Sequence, residues 1–406
     1  MEKQREAYDF IQENTSLLAE FSILIFVFAS MFSIGLSLVV VSWIATVEGS
    51  IRLVGQLFFV GSATSLLFSI FAGVVSDSRN RLSVIRVGQG LRVFAVLVLA
   101  FGTLAAPTKI PWLFAYTFLF SIGTILNAGA LDGIIQKAVV EQRRMKLSIR
   151  VSIGRQVGMF LGTGAGGLLL HHLDAGWSIC VMGFLMVLQL FIIQTVFSAY
   201  QNGPQKRSVE IFQAWKHGVS VILRDRKLSL SIVCIGLFFS TSQMANVLVP
   251  GFVKDTLNRG SDVYGLLETA WAVGGGAILA TAATQSKIFS KAHYELILLI
   301  LVGILMVGFA SLRNVPLLMI TYALLGGMFA LGRALCDGHV LVLAPNEEVG
   351  RIRATTTMIV SLFGMLIYIA PTLIGVSSTI PYYILWGLFV TTIGTVMLLI
   401  LINKNQ

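Results

Sequence analysis

Arg92, Arg155, Arg333, Glu268 and Asp337 draw attention first, because each lies inside a long apolar run. A charge at mid-bilayer costs about 2.5–3.5 kcal/mol, so it needs a partner, a wet cavity or a function. Arginines in such places suit capture of an anion, and Arg92, Arg155 and Arg333 are the candidate substrate-binding residues. A carboxyl in the same setting suits reversible binding of a proton. Glu268 stands in Leu266-Leu267-Glu268-Thr269-Ala270-Trp271 with no base three or four positions away. It reads as a proton-coupling carboxyl, with an exposed vestibule carboxylate as the alternative. Asp337 is a second proton-coupling candidate, although Arg333 four residues earlier lies above it on a helix and can neutralise it. Arg155 can equally extend the basic cluster at 143–150. Arg86 and Lys137 lie near enough to a span end to snorkel, and Glu20 reads as interfacial. His171, His172 and Asp174 carry metal-binding atoms, but adjacent histidines with one acid usually form a polar turn, so no metal is expected. Cys180, Cys234 and Cys336 show neither metal nor disulfide spacing. No phosphate-binding loop is present, so ATP is not the expected energy source.

Such residues need membrane-spanning elements to hold them. Of the 406 residues, 56% are hydrophobic and 12% charged, about half the ~25% charged share of a soluble domain. That balance excludes a soluble enzyme, a secreted module and a disordered chain. Twelve apolar runs recur, at about 17–45, 54–76, 84–106, 112–139, 151–171, 176–199, 228–253, 263–285, 296–312, 316–344, 354–376 and 381–402. Their lengths fit a bilayer core with some tilt. The long basic interruption Tyr200–Lys227 separates six spans from six. The expected domains are therefore an N-terminal bundle over 1–199, a cytoplasmic linker over 200–227 and a C-terminal bundle over 228–406.

Lys and Arg set the orientation. With the N-terminus inside, cytoplasmic segments hold 19 of them and outer segments 5, namely Arg52, Lys109, Lys254, Arg259 and Arg313. This bias places both termini in the cytoplasm, and it accounts for the net charge of +10 without nucleic acid. The first sixteen residues carry four acids against two bases, unlike a cleaved signal peptide. They read as a short cytoplasmic tail, where the Asn14-Thr15-Ser16 sequon has no meaning. A repeat is visible at an offset of 205 residues: Ala130-Leu131-Asp132-Gly133 matches Leu335-Cys336-Asp337-Gly338. An offset near half the chain fits a duplicated six-helix unit.

Between the second and third runs stands Gly73-Val-Val-Ser-Asp77-Ser-Arg79-Asn-Arg81. This resembles the signature loop of the major facilitator superfamily, with Ser78 and Asn80 departing from its usual Arg and Gly. The resemblance implies a conformational latch built from Gly73, Asp77 and Arg81, with Asp132 as the acid at the cytoplasmic end of the fourth span. The fifth run holds Gly158-Met-Phe-Leu-Gly162-Thr-Gly164-Ala-Gly166-Gly167. It resembles the superfamily's antiporter motif, with Thr163 in place of proline. Gly158, Gly162, Gly166 and Gly167 permit close helix contact, expected at the interface between the halves, and in the family the pattern goes with export. The family's fourth-span arginine, linked to proton handling, is absent; Phe120 stands in its place.

The resulting expectation is an all-α integral membrane protein of twelve helices in two pseudo-symmetric six-helix bundles, the major facilitator fold. It loosely resembles the macrolide-efflux and siderophore-exporter branch. On that resemblance it is a monomeric, non-enzymatic secondary transporter of the cytoplasmic (inner) membrane, working by alternating access. It would export a drug-like compound or siderophore-type metabolite in exchange for protons; import of a small anionic metabolite is the alternative. Its partners are the small-molecule substrate, protons and the lipid bilayer, with no cofactor and no nucleic acid. Trp43, Trp112, Trp177, Trp271 and Trp386 fit the aromatic belts of membrane interfaces.

Overall fold

The structure is a computed structural model describing residues 2–78, 80–138, 141–196, 219–220, 222–284, 293–343, 349–375 and 378–402; the side chains it describes leave out 2–19, 69–78 and most of 132–149. The helices are α1 (Glu2–Ser78), α2 (Arg81–Ala105), α3 (Ile110–Ala138), α4 (Glu141–Val196), α5 (Arg226–Gly251), α6 (Ser261–Thr284), α7 (Tyr294–Ser311), α8 (Val315–Leu343), α9 (Val349–Ile374) and α10 (Ile380–Ile402). A π-helical turn, Phe252–Thr256, continues α5 just after Pro250. Among the described residues there is no strand.

Ten helical stretches among the described residues are long and apolar enough to cross a membrane. Two of them, Glu20–Phe68 and Ile153–Gln194, run for 49 and 42 residues. At 1.5 Å per residue each is at least about twice the ~30 Å of a bilayer core. Both are broken inside. Within α1 the helical path fails at Gly49 (φ −153°, ψ 17°) and Ser50 (φ 68°, ψ −174°). Within α4 it fails at Asp174 (φ 65°, ψ 178°). Asp174 Oδ1 accepts the Trp177 N–H at 3.1 Å, capping the helix that follows. Each long stretch is therefore two helices meeting at a kink, and the breaks fall between the first and second predicted runs and between the fifth and sixth.

α2 buries two strongly polar side chains and turns large apolar ones outward. Gln89 and Arg92 are buried, whereas Val87, Phe94, Leu97, Phe101 and Leu104 are more than half exposed along the opposite face. Such a stripe would be costly in water and is at home against lipid tails. The chain is accordingly a multi-pass membrane protein.

Two compact units are present: Met1–Val41 with Thr64–Ser208, and Ser42–Ala63 with Val209–Gln406. In unit 1, Ile23, Phe26, Leu82, Ile85, Leu131 and Leu147 share a core drawn from α1 through α4. In unit 2, α8 packs against α5, α6 and α7, with α10 on α7 and α9 on α5. The stretch Ser42–Ala63, around the α1 kink, is held within unit 2. Lys254 Nζ donates to Thr46 O at 2.9 Å, and Arg52 Nη2 donates to Gly375 O. Trp43 stacks on Tyr264 with centroids 6.2 Å apart. At Gly55 an added Cβ would lie 2.2 Å from Tyr368 O, so only glycine permits that approach.

Candidate functional site

Arg92 sits on the inner face of α2, wholly buried. Its stem fills space that Gly123 of α3 leaves open; a Cβ there would lie 2.8 Å from Arg92 Cγ. Nη1 anchors the group by donating to Ser30 Oγ at 3.0 Å and Gln89 Oε1 at 3.2 Å. Gln89 Oε1 also accepts from Asn127 Nδ2 at 2.9 Å. The Gln89 amide nitrogen donates to Met186 O at 2.8 Å and Gln189 Oε1 at 3.3 Å. Gln189 Nε2 donates in turn to Ser33 Oγ at 2.6 Å and Ala29 O at 3.1 Å. Four helices, α1 to α4, therefore tie one arginine into an amide and hydroxyl network. Phe120 lies beneath the guanidinium at 5.0 Å, and Tyr116 stacks on that ring at 5.1 Å while its hydroxyl meets Ser37 Oγ. The position where the family places an arginine thus carries a ring that receives a guanidinium from the neighbouring helix.

Arg92 thus carries a buried charge. Among the described residues no carboxylate pairs with it, and its Nε and Nη2 make no hydrogen bond to the protein. A buried charge left in this state is expensive.

The other candidates lie elsewhere. Arg155 is half-buried on α4. Arg333 pairs with Asp337 at 3.5 Å, with both side chains more than 40% exposed, and lies over the Phe239 ring at 4.5 Å. Such an exposed pair contributes little to stability. Glu20 is buried and meets Arg150 at 3.4 Å. His171 and His172 are exposed, ring against ring at 4.9 Å.

Glu268 of α6 forms a second centre, in unit 2. It is only 7% exposed, and the Tyr322 hydroxyl donates to its Oε1 at 3.4 Å. Tyr264 lies one helical turn before it, and Tyr383 joins the cluster through Phe309, whose ring lies 5.3 Å from its own. The Tyr264 and Tyr383 hydroxyls are buried and make no hydrogen bond of good geometry, with Ser42 beside the former. Trp271 and Phe309 pack on Tyr322 at 4.9 and 5.4 Å. The three tyrosines come from three helices, and no spacing in the sequence links them to Glu268.

The glycines of the fifth predicted span face α1 within unit 1. A Cβ on Gly158, Gly162 or Gly166 would stand 2.5 Å from Phe28 O, 2.1 Å from Phe32 O and 3.1 Å from Leu36 O, respectively. Gly35 of α1 answers them, with Met159 O 2.5 Å from its own ideal Cβ. Gly167 is buried on the same helix. The close approach is thus inside one unit, where the sequence reading had put it between the halves. Of the latch, Gly73, Asp77 and Asp132 lie outside the described side chains. Arg81 opens α2, and Asn80, which departs from the family's glycine, caps that helix by accepting the Leu82 N–H at 3.0 Å.

Comparison with known proteins adds the following. The family described as Major Facilitator Superfamily matches residues 23–368. The lysophospholipid transporter LplT of Serratia proteamaculans (strain 568) is 25% identical over 282 residues, covering 68% of this chain and 67% of that protein. The lysophospholipid transporter LplT of Yersinia enterocolitica is 24% identical over 278 residues, with 68% and 66% covered. The chain spans about two thirds of the length of these relatives. Among solved structures, the nucleoside transporter NupG superposes with TM-score 0.71 at 12% identity, over 94% of this chain and 98% of that one. The peptide transporter POT in complex with sulfate superposes with TM-score 0.74 at 12% identity, over 97% and 98%. The named relatives are lysophospholipid transporters and not members of the macrolide-efflux or siderophore-exporter branch.

Proposed function

As a chain that belongs to the major facilitator superfamily it is a secondary transporter and not an enzyme, and we propose that its cargo is an anionic amphiphile of the lysophospholipid type. One observation carries this reading: Arg92 is wholly buried, held by four helices, and has no carboxylate partner among the described residues. A resident acid would silence it; a phosphate arriving with the cargo compensates it on each cycle. The names of the relatives support the same substrate class. A drug-like or siderophore cargo gains no support from them.

The accompanying reading is of twelve crossings, with the kinked α1 and α4 each supplying two, and both termini in the cytoplasm of an inner membrane. Alternating access would draw on the proton gradient through Glu268, at about 2.3 kcal/mol per charge per 100 mV.

Proteoliposomes loaded with a labelled lysophospholipid test the cargo. Arg92→Gln should lower its flux at least about tenfold, because the phosphate then loses a charge-assisted contact worth roughly 1.5–3 kcal/mol, while monoacylglycerol, the uncharged analogue, should move as in the wild type. Undiminished lysophospholipid flux in the variant would remove Arg92 from the site.

A further inference from the structure

The hydrogen bonds that Arg92 does not make have a shape. Nη1 is consumed in anchoring, by Ser30 and Gln89. The two nitrogens left over, Nε and Nη2, form one edge of the guanidinium and present parallel N–H groups. That edge matches two oxygens of one oxyanion. A third unsatisfied atom lies in the same cluster: Asn127 Oδ1 is buried and accepts nothing from the protein. Its identity as oxygen follows from the network. Gln89 must turn its oxygen to Arg92, and so Asn127 must turn its NH2 to that oxygen. The fork and the acceptor hang on the same atom, Gln89 Oε1, at 3.2 and 2.9 Å.

Two donors on one guanidinium edge, and a buried acceptor joined to it through Gln89 Oε1, fit a ligand with an oxyanion and a hydroxyl close to it. A lysophospholipid has that pair, since one oxygen of its acylated glycerol near the phosphate is unesterified; in a diacyl phospholipid both of those backbone oxygens are esterified. We propose that the Arg92 edge takes two phosphate oxygens and that Asn127 Oδ1 accepts the free glycerol hydroxyl, so that Asn127 selects lyso lipids against diacyl ones. This rests on the lysophospholipid reading and sharpens it. A cargo presenting the oxyanion without the hydroxyl leaves a buried acceptor unpaired, and sites built to bond a hydroxyl penalise its loss heavily.

The test is equilibrium binding of two ligands to the purified full chain in detergent: a lysophospholipid, and the same lipid with its free hydroxyl methylated. The wild type should bind the methyl ether roughly tenfold more weakly. Asn127→Ala, checked for an unchanged melting temperature, should bring the two ligands within about twofold, and Arg92→Gln should lose both. Equal affinity of the wild type for the two lipids overturns the Asn127 assignment and leaves the cargo reading standing. A tenfold gap that survives in Asn127→Ala overturns it as well. A wild type that binds neither lipid overturns the cargo reading, and this one with it.

Discussion

Changing Glu268 to Gln keeps the side chain's shape and its Tyr322 contact but removes its ability to change charge. If Glu268 carries the coupling proton, an imposed pH gradient should no longer drive substrate flux in this variant, while lysophospholipid binding stays within about twofold of the wild type. Flux that still follows the gradient would exclude Glu268. Both centres were half legible in the sequence. Arg92 and Glu268 announced themselves as charges deep in apolar runs, because lipid makes every such charge conspicuous. Their surroundings did not. Gln89, Asn127, Gln189 and Ser30 are neutral, come from four helices and meet only after folding. Asp337 carried the same signal as Glu268, yet it lies partly exposed beside Arg333; depth along a span is visible in sequence, and the direction a side chain faces is not.

The glycines of α4 show the same division at the level of the element. Their spacing of four declared a face for close packing, and that packing exists, but only the structure shows that α1 of the same unit receives it. The steric consequence is measurable. Gly162→Leu would drive a Cβ to within 2.1 Å of Phe32 O, and a backbone oxygen inside a packed unit cannot step aside cheaply. Overpacking of this kind costs about 1–3 kcal/mol, so the melting temperature in detergent should fall. Gly90 on α2 has nothing within 4 Å of its ideal Cβ, and Gly90→Ala should melt no lower than the wild type. Equal behaviour of the two variants would mean that the α1–α4 contact does not limit stability.

For the whole molecule, hydropathy and the Lys and Arg bias supplied the apolar runs and an orientation. The orientation predicts that epitope tags at the two ends react with antibody only after the cytoplasmic face is opened; a tag reached from outside in intact cells would reverse the assignment. The breaks at Gly49-Ser50 and Asp174 fall in the short gaps between predicted runs, whereas no local pattern shows that the helix resumes at once on their far side. Nor does any local pattern in Ser42–Ala63 reveal that its packing partners lie in the second half of the chain.

That long-range bookkeeping imposes a birth order on the protein. Arg52 and the carbonyl it holds are 323 residues apart in sequence. At a synthesis rate of about 5–20 residues per second, Arg52 leaves the ribosome roughly 16–65 s before Gly375 is made. Thr46 waits for Lys254 across 208 residues. The kink of the first helix is therefore among the earliest parts of the chain to be translated and among the last to gain its final neighbours. Until then its glycines and unpaired basic side chain stay in the care of lipid, translocon or chaperone.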